Sequence, residues 1–136
     1  MLKLKFTLPV IIMAIIISGC GKKGEKQTYD NGLVVIDSKI GEGDPADGLD
    51  ILEVNYVGKL DDGSIFDKSN QPFKFTLGAG WVIEGWELGL HGMRVGGKRT
   101  LIIPPELAYG TEGFGDAIPP NAMLTFYIEL IGLEKF

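Results

Sequence analysis

VIEGWELGLHGM, residues 82–93, is the stretch whose reading decides the fold. It places Ile83, Trp86 and Leu90 at helical spacing, with Met93 a turn further on. Gly85 and Gly89 fall inside this predicted helix, and each costs about 1 kcal/mol relative to Ala. Propensity therefore does not make the helix. It must be held by packing its apolar face onto a sheet, and the glycines let its backbone come close to that sheet.

Outward from this segment, the chain reads as strands. Leu33–Ile40 is rich in Val and Ile, and Gly41–Gly48 (GEGDPADG) is a loop by composition. In Ile51–Gly58, Leu52, Val54 and Tyr56 alternate with Glu53 and Asn55, the period-2 signature of a half-buried strand. Asp62-Gly63 is a hairpin signal. Ile65–Asp67 and Phe73–Leu77 flank a polar bulge, Lys68–Gln71. Lys98–Ile103 is stopped by Pro104-Pro105. Ala122–Ile131 turns Leu124, Phe126, Ile128 and Leu130 to one face. The pattern predicts five or six antiparallel strands with one short helix, an α+β layout. Residues 104–120 have neither period, and loops that long in a compact domain are usually functional.

The N-terminus has a different character. Lys3 and Lys5 precede an apolar run from Phe6 to Ile17, followed by Ser18, Gly19 and Cys20. This is the layout of a secretory signal peptide. The run is shorter than the roughly 20 residues a spanning helix needs. Ile17-Ser18-Gly19-Cys20 resembles a bacterial lipobox, which implies cleavage before Cys20 and its lipidation. Several acyl chains anchor a protein stably where one does so only marginally. The expected organisation is a lipoprotein signal over residues 1–19, a polar tether over 20–31 beginning at the lipidated Cys20, and one domain over 32–136. The tether would hold the domain at most ~40 Å from a bilayer, at ~3.3–3.6 Å per residue.

Composition excludes several functions. The 136 residues carry a formal net charge of −5, without the basic footprint that nucleic-acid binding needs. One His and one Cys are too few for a Cys/His zinc site, and a single Cys forms no intramolecular disulfide. No metal site and no cofactor are expected. His91 is a lone imidazole on the flank of the predicted helix.

Tyr56, Phe66, Phe73, Trp86, Tyr109 and Phe126 come from separate segments at inward or loop-edge positions. Together with VNYVG (54–58), GSIFD (63–67), PFKFTLG (72–78), VIEGWELG (82–89), PELAYG (105–110), IPPNA (118–122) and LTFYIEL (124–130), they resemble FKBP-type peptidyl-prolyl isomerases. The resemblance covers roughly residues 33–134 and rests on seven motifs in register. It implies a five- to six-stranded antiparallel half-barrel sheet wrapped around one short helix. It also implies peptidyl-prolyl cis-trans isomerase activity, with Trp86 as the floor of a proline pocket and Tyr56, Phe66, Phe73 and Phe126 as its walls. Val82 and Ile83 are implied at the rim, with the Ile83 N–H receiving a substrate carbonyl. Tyr109 is the implied loop hydroxyl, Asp67 the implied carboxylate beside the twisting imide, and Ile118 an apolar contact. Asp67 and Tyr109 are thus the expected catalytic pair.

The implied partners are proline-containing, unfolded or partly folded exported proteins and macrolide inhibitors such as tacrolimus. Phe114 and Ala117 depart from the residues common in the family's long loop. No chaperone lobe interrupts Phe75–Trp81, and the tether is too short for a dimerisation arm, so a monomer is expected. The expected location is a bacterial membrane, at its periplasmic face or the cell surface. The alternative reading is a module that binds proline segments, or a chaperone, with little turnover.

Overall fold

The computed structural model describes residues 24–136. Residues 1–19, expected to be a signal, and Cys20 lie outside the described residues. Seven strands form one antiparallel sheet: β1 (Lys26–Thr28), β2 (Val34–Lys39), β3 (Ile51–Lys59), β4 (Ile65–Lys68), β5 (Phe73–Thr76), β6 (Lys98–Ile103) and β7 (Leu124–Glu134). A single α-helix, α1, spans Glu84–Gly89, and a 3₁₀ turn spans Pro105–Leu107. The order across the sheet is β1-β2-β6-β7-β3-β4, with β5 also paired to β3. The expected α+β class is what the structure shows, with seven strands rather than five or six.

The extra strand comes from the stretch read as tether. Lys26, Gln27 and Thr28 pair with Ile36, Val35 and Val34. All three are exposed. A polar edge strand has no buried face, so it carries no alternation for a sequence reading to detect.

The central strands follow the period-2 pattern because only one face is covered. Along β7, Leu124, Phe126, Ile128 and Leu130 are buried while their neighbours are not. Leu52 and Val54 of β3 and Leu101 and Ile103 of β6 complete the inner face. Between Glu53 and Val54 the register of β3 on β7 shifts, leaving Ile131 without a partner. A bulge of this kind bends the strand and increases its twist. Strand β3 has a divided edge: Ile51–Val54 pairs with β5 and Val57–Lys59 with β4. The Ser69–Pro72 turn separates the two partners, and Ser69 meets the Tyr56 backbone between them, its N–H donating to the Tyr56 carbonyl at 3.0 Å.

Helix α1 lies against the inner face. A Cβ at Gly85 would overlap the Ile103 side chain, and one at Gly89 would stand 2.7 Å from Leu101 Cδ2. The two glycines therefore permit the close approach that the sequence implied. Trp86, Leu90 and Met93 are buried. The helix is shorter than residues 82–93, with Leu90 as its C-cap. Met93 stays in the core through the turn that follows. Arg99 of β6 holds the helix end. Its Nη1 donates to the Gly89 and His91 carbonyls at 2.8 and 2.7 Å, and its Nε donates to Asp37 at 2.6 Å. A cation at a helix C-terminus meets both unsatisfied carbonyls and the negative end of the dipole.

Candidate active site

Five chain segments deliver aromatic rings to one end of the inner face. Trp86 projects from α1 and is 4% exposed. Tyr56 of β3 meets it nearly perpendicular at 5.1 Å between centroids, and Phe126 of β7 does so at 5.2 Å. Phe73 stands edge-on at 6.3 Å. Phe66 of β4 packs perpendicular to Phe126 at 5.4 Å. These separations and angles are those that ring quadrupoles favour. Gly58 makes the arrangement sterically possible: a Cβ there would come within 2.6 Å of Phe66 and 2.9 Å of Phe126.

The rings enclose a cavity of about 390 Å³, bordered also by Asp67, Trp81, Val82, Ile83 and Tyr109. That size suits a small ligand or one side chain of a larger one. A larger hollow, about 490 Å³, lies on the outer face of the sheet. Ser38, Asn55, Lys98 and Glu129 border it, and no ring cluster floors it. Size does not decide between the two; convergent polar groups over an apolar floor favour the smaller.

The polar groups of the smaller cavity sit at its edge. The Tyr56 hydroxyl donates to Asp67 Oδ2 at 2.9 Å and so fixes the carboxylate. The Tyr56 backbone is held in turn by Ser69, whose Oγ accepts its N–H at 2.9 Å. Burial first, then the Asp67 hydrogen bond and charge, push the Tyr56 phenol up to about 12. Burial and the Asp67 charge also raise Tyr109. Among the described residues, the Tyr109 hydroxyl and the Ile83 N–H donate to no protein acceptor. Trp86 Nε1 is a buried donor without a hydrogen-bond partner. His91 stands apart, 3.7 Å from Asp47. No three His, Cys, Asp or Glu side chains among the described residues form a metal-binding group.

The structure brings Tyr56, Phe66, Asp67, Phe73, Val82, Ile83, Trp86, Tyr109 and Phe126 to one cavity. It does not bring Ile118 there. The Phe114–Ile118 bridge folds the long loop back on itself, and Ile118, 4% exposed, packs into the core beneath. Phe114 instead covers Tyr109, with centroids 5.3 Å apart. Sequence reasoning missed Trp81, which borders the cavity from a glycine turn. The available signal was an aromatic in a Gly-Ala-Gly context, outside any core period.

An open antiparallel sheet closed over one short helix, with a ring-lined cavity at its end, defines an α+β domain built to receive an apolar group. Residues 42–131 match the profile of the FKBP-type peptidyl-prolyl cis-trans isomerases. A peptidyl-prolyl cis-trans isomerase of Arabidopsis thaliana is 48% identical over 118 residues, which is 83% of this chain and 25% of that protein. FK506-binding protein 2 of Candida glabrata is 53% identical over 90 residues, 63% of this chain and 66% of that protein. The crystal structure of a peptidyl-prolyl cis-trans isomerase from Pseudomonas syringae superposes with a TM-score of 0.74 at 42% identity, covering 81% of each chain. The chain belongs to the FKBP-type peptidyl-prolyl cis-trans isomerase family. It spans about a quarter of the length of two of its curated relatives, at 25% and 28%.

Proposed function

We propose that this protein is a peptidyl-prolyl cis-trans isomerase acting on X-Pro bonds of exported proteins, held at a bacterial membrane by a lipidated Cys20. The observation that carries the catalytic reading is the ring box around Trp86, with Asp67 fixed at its edge by Tyr56. An X-Pro bond is a tertiary amide whose two isomers are close in free energy but exchange in tens to hundreds of seconds. The barrier, about 18–20 kcal/mol, is lost amide resonance. The planar amide is strongly polar, and twisting lowers the polarity of its C–N unit. A dry aromatic cavity therefore favours the twisted form over the planar one, which is differential binding of the transition state.

In this reading the proline ring lies on Trp86, between Tyr56, Phe66, Phe73 and Phe126. The free Ile83 N–H receives the carbonyl on the far side of the ring from the imide. Asp67 stands beside the twisting carbonyl as a fixed charge rather than a proton-transfer base. Tyr109 donates to a further carbonyl of the peptide. No step requires a nucleophile or a cofactor. The cavity also suits macrolide inhibitors such as tacrolimus, and the protein works as a monomer.

The lipid anchor rests on Lys3, Lys5, the apolar run and the Ile17–Cys20 sequence. With β1 beginning at Lys26, the span between Cys20 and the sheet shortens to some six residues, a reach of about 20 Å at ~3.3–3.6 Å per residue.

The test is a peptide isomerisation assay on the purified full chain, with and without tacrolimus. Acceleration that tacrolimus inhibits is expected. Asp67→Ala is expected to lower kcat/KM about ten- to 150-fold, since a hydrogen bond to a charged group is worth ~1.5–3 kcal/mol. Tyr109→Phe is expected to lower it about two- to tenfold, the loss of one neutral hydrogen bond. Peptide binding without any acceleration would make the protein a binding module instead. Radioactive fatty-acid labelling that disappears in Cys20→Ser tests the anchor, and label retained in that variant removes it.

A further inference from the structure

We propose that Trp81 is a specificity residue, an aromatic platform at the mouth of the cavity that favours substrates with an aromatic or aliphatic side chain directly after the proline. The proposal rests on the isomerase reading of the cavity and goes beyond it to the residue that follows the reacting bond.

Trp81 borders the same cavity as Val82, Ile83 and Trp86, yet is 82% exposed. Apart from Phe136, it is the most exposed large apolar side chain among the described residues. An indole left in water beside an apolar cavity gains contact when a ligand enters. Its backbone is already fixed. Gly78 and Gly80, at φ 83° and 77°, take left-handed conformations that make the turn. The Glu87 carboxylate, projecting from α1, then receives both of their N–H groups, with Gly80 N at 2.9 Å from Oε1. Leu77 is held from the other side by backbone hydrogen bonds with Asp50 at 2.9 Å and Leu49 at 2.7 Å. The turn is therefore tied to the helix that carries Trp86 and to the loop that precedes β3. A backbone fixed before binding leaves only the indole to be ordered when the ligand enters.

Direction follows from the polar groups. Asp67 attends the imide, on the N-terminal side of the proline ring. The carbonyl on the other side of the ring is the proline's own, and its donor, the Ile83 N–H, is two residues from Trp81. The next residue of the peptide therefore leaves the cavity past Trp81. A charged or glycine residue there gains little from the indole. An aromatic one gains a ring contact that corresponds to about a three- to tenfold preference.

The test compares dissociation constants and kcat/KM for peptides differing only after proline, Ala-Pro-Phe against Ala-Pro-Gly, on the full-length protein and on Trp81→Ala and Glu87→Ala. The wild type is expected to prefer the Phe peptide about three- to tenfold. Trp81→Ala should bring that ratio close to one, and Glu87→Ala, acting as a positioning change, should lower it part of the way. A matched pair varying the residue before proline should keep its ratio in both variants. A ratio after proline that Trp81→Ala leaves unchanged overturns the proposal, as does a shift confined to the residue before proline. Because affinity is measured apart from turnover, binding with the expected ratios but no acceleration would sink the isomerase reading and leave Trp81's role standing. Failure to bind either peptide would overturn both. Thermal melts of the two variants separate a lost preference from a lost fold.

Discussion

The Tyr56 ring and hydroxyl act on different neighbours. The ring meets Trp86 edge-on at 5.1 Å, while the hydroxyl donates to Asp67 at 2.9 Å. One side chain thus links the apolar floor to the polar edge. Burial, and then the neighbouring carboxylate, raise its phenol from 10.0 to about 12. The hydroxyl therefore remains a donor at every working pH, and Asp67 stays oriented. The sign is that of a raised group: its contribution to stability is complete below pH 10 and declines as pH rises through about 12. An ultraviolet titration of the phenols should show a last step with a midpoint near 12, absent in Tyr56→Phe. A last step at or below 10 would show that neither burial nor the Asp67 contact acts on the hydroxyl. On the role proposed for Asp67, the same variant should lose a few-fold in kcat/KM, because an unanchored carboxylate would spend less time beside the imide.

Helix α1 is six residues long, has no side-chain N-cap and contains two glycines. Its stability comes from its contact with β6. Gly85→Ala tests that balance. The substitution gains up to about 1 kcal/mol of helix propensity. Against that, the new methyl meets three atoms of Ile103 closer than 3.0 Å, and overpacking of this kind costs about 1–3 kcal/mol. Ile103 is completely buried, so it has little room to yield. A net loss of about 1–2 kcal/mol is expected in urea unfolding, with a reduced midpoint. An increase in stability would show that the helix is limited by propensity instead. Strands β3 and β7 were legible in the sequence because each has one covered face, and the helix because Ile83, Trp86 and Leu90 break that alternation. Strand β1 was not, since all its residues face water. The buried turn of Ile118 was hidden because it depends on left-handed glycines 113 and 115 and on a backbone bridge, neither of which leaves a hydrophobic period. Trp81 was hidden for a related reason: its place is set by a carboxylate on the next element, and local pattern does not report contacts of that kind.

At the scale of the whole molecule, the end of β7 is fastened to the loop that leads into β3. Asp50 is the buried charged residue of the described chain, 2% exposed. Its carboxylate receives the Lys135 ammonium at 2.5 Å, the Phe136 N–H at 2.9 Å and the Asp47 N–H at 2.9 Å. Lys135 also donates to the Pro45 carbonyl at 3.1 Å. The same loop holds Leu77 through Asp50 and Leu49, and Met93 through Ala46. The carboxylate therefore fastens the last strand to this loop across 85 positions of sequence, and the loop's backbone in turn holds the approach to the Trp81 turn and the segment after α1. Nothing local announces this, because Asp50 alone reads as one more polar loop residue. The Lys135 hydrogen bond, followed by the Phe136 amide, lowers the Asp50 carboxyl from 3.8 to about 2, and the Lys135 ammonium is raised in turn. A lowered carboxyl contributes stability that is present above the unfolded value and is lost as pH falls through the folded one. The fastening should therefore hold at neutral pH and weaken between about pH 4 and pH 2. In thermal melts across pH 7 to pH 2, Asp50→Asn should melt well below the wild type at pH 7, because it leaves Lys135 without its charge partner. The gap should narrow through pH 4 to 2 as the wild-type carboxyl takes up its proton. A gap that stays constant to pH 2 would mean that Asp50 acts through shape alone, and that its charge does not fasten the strand.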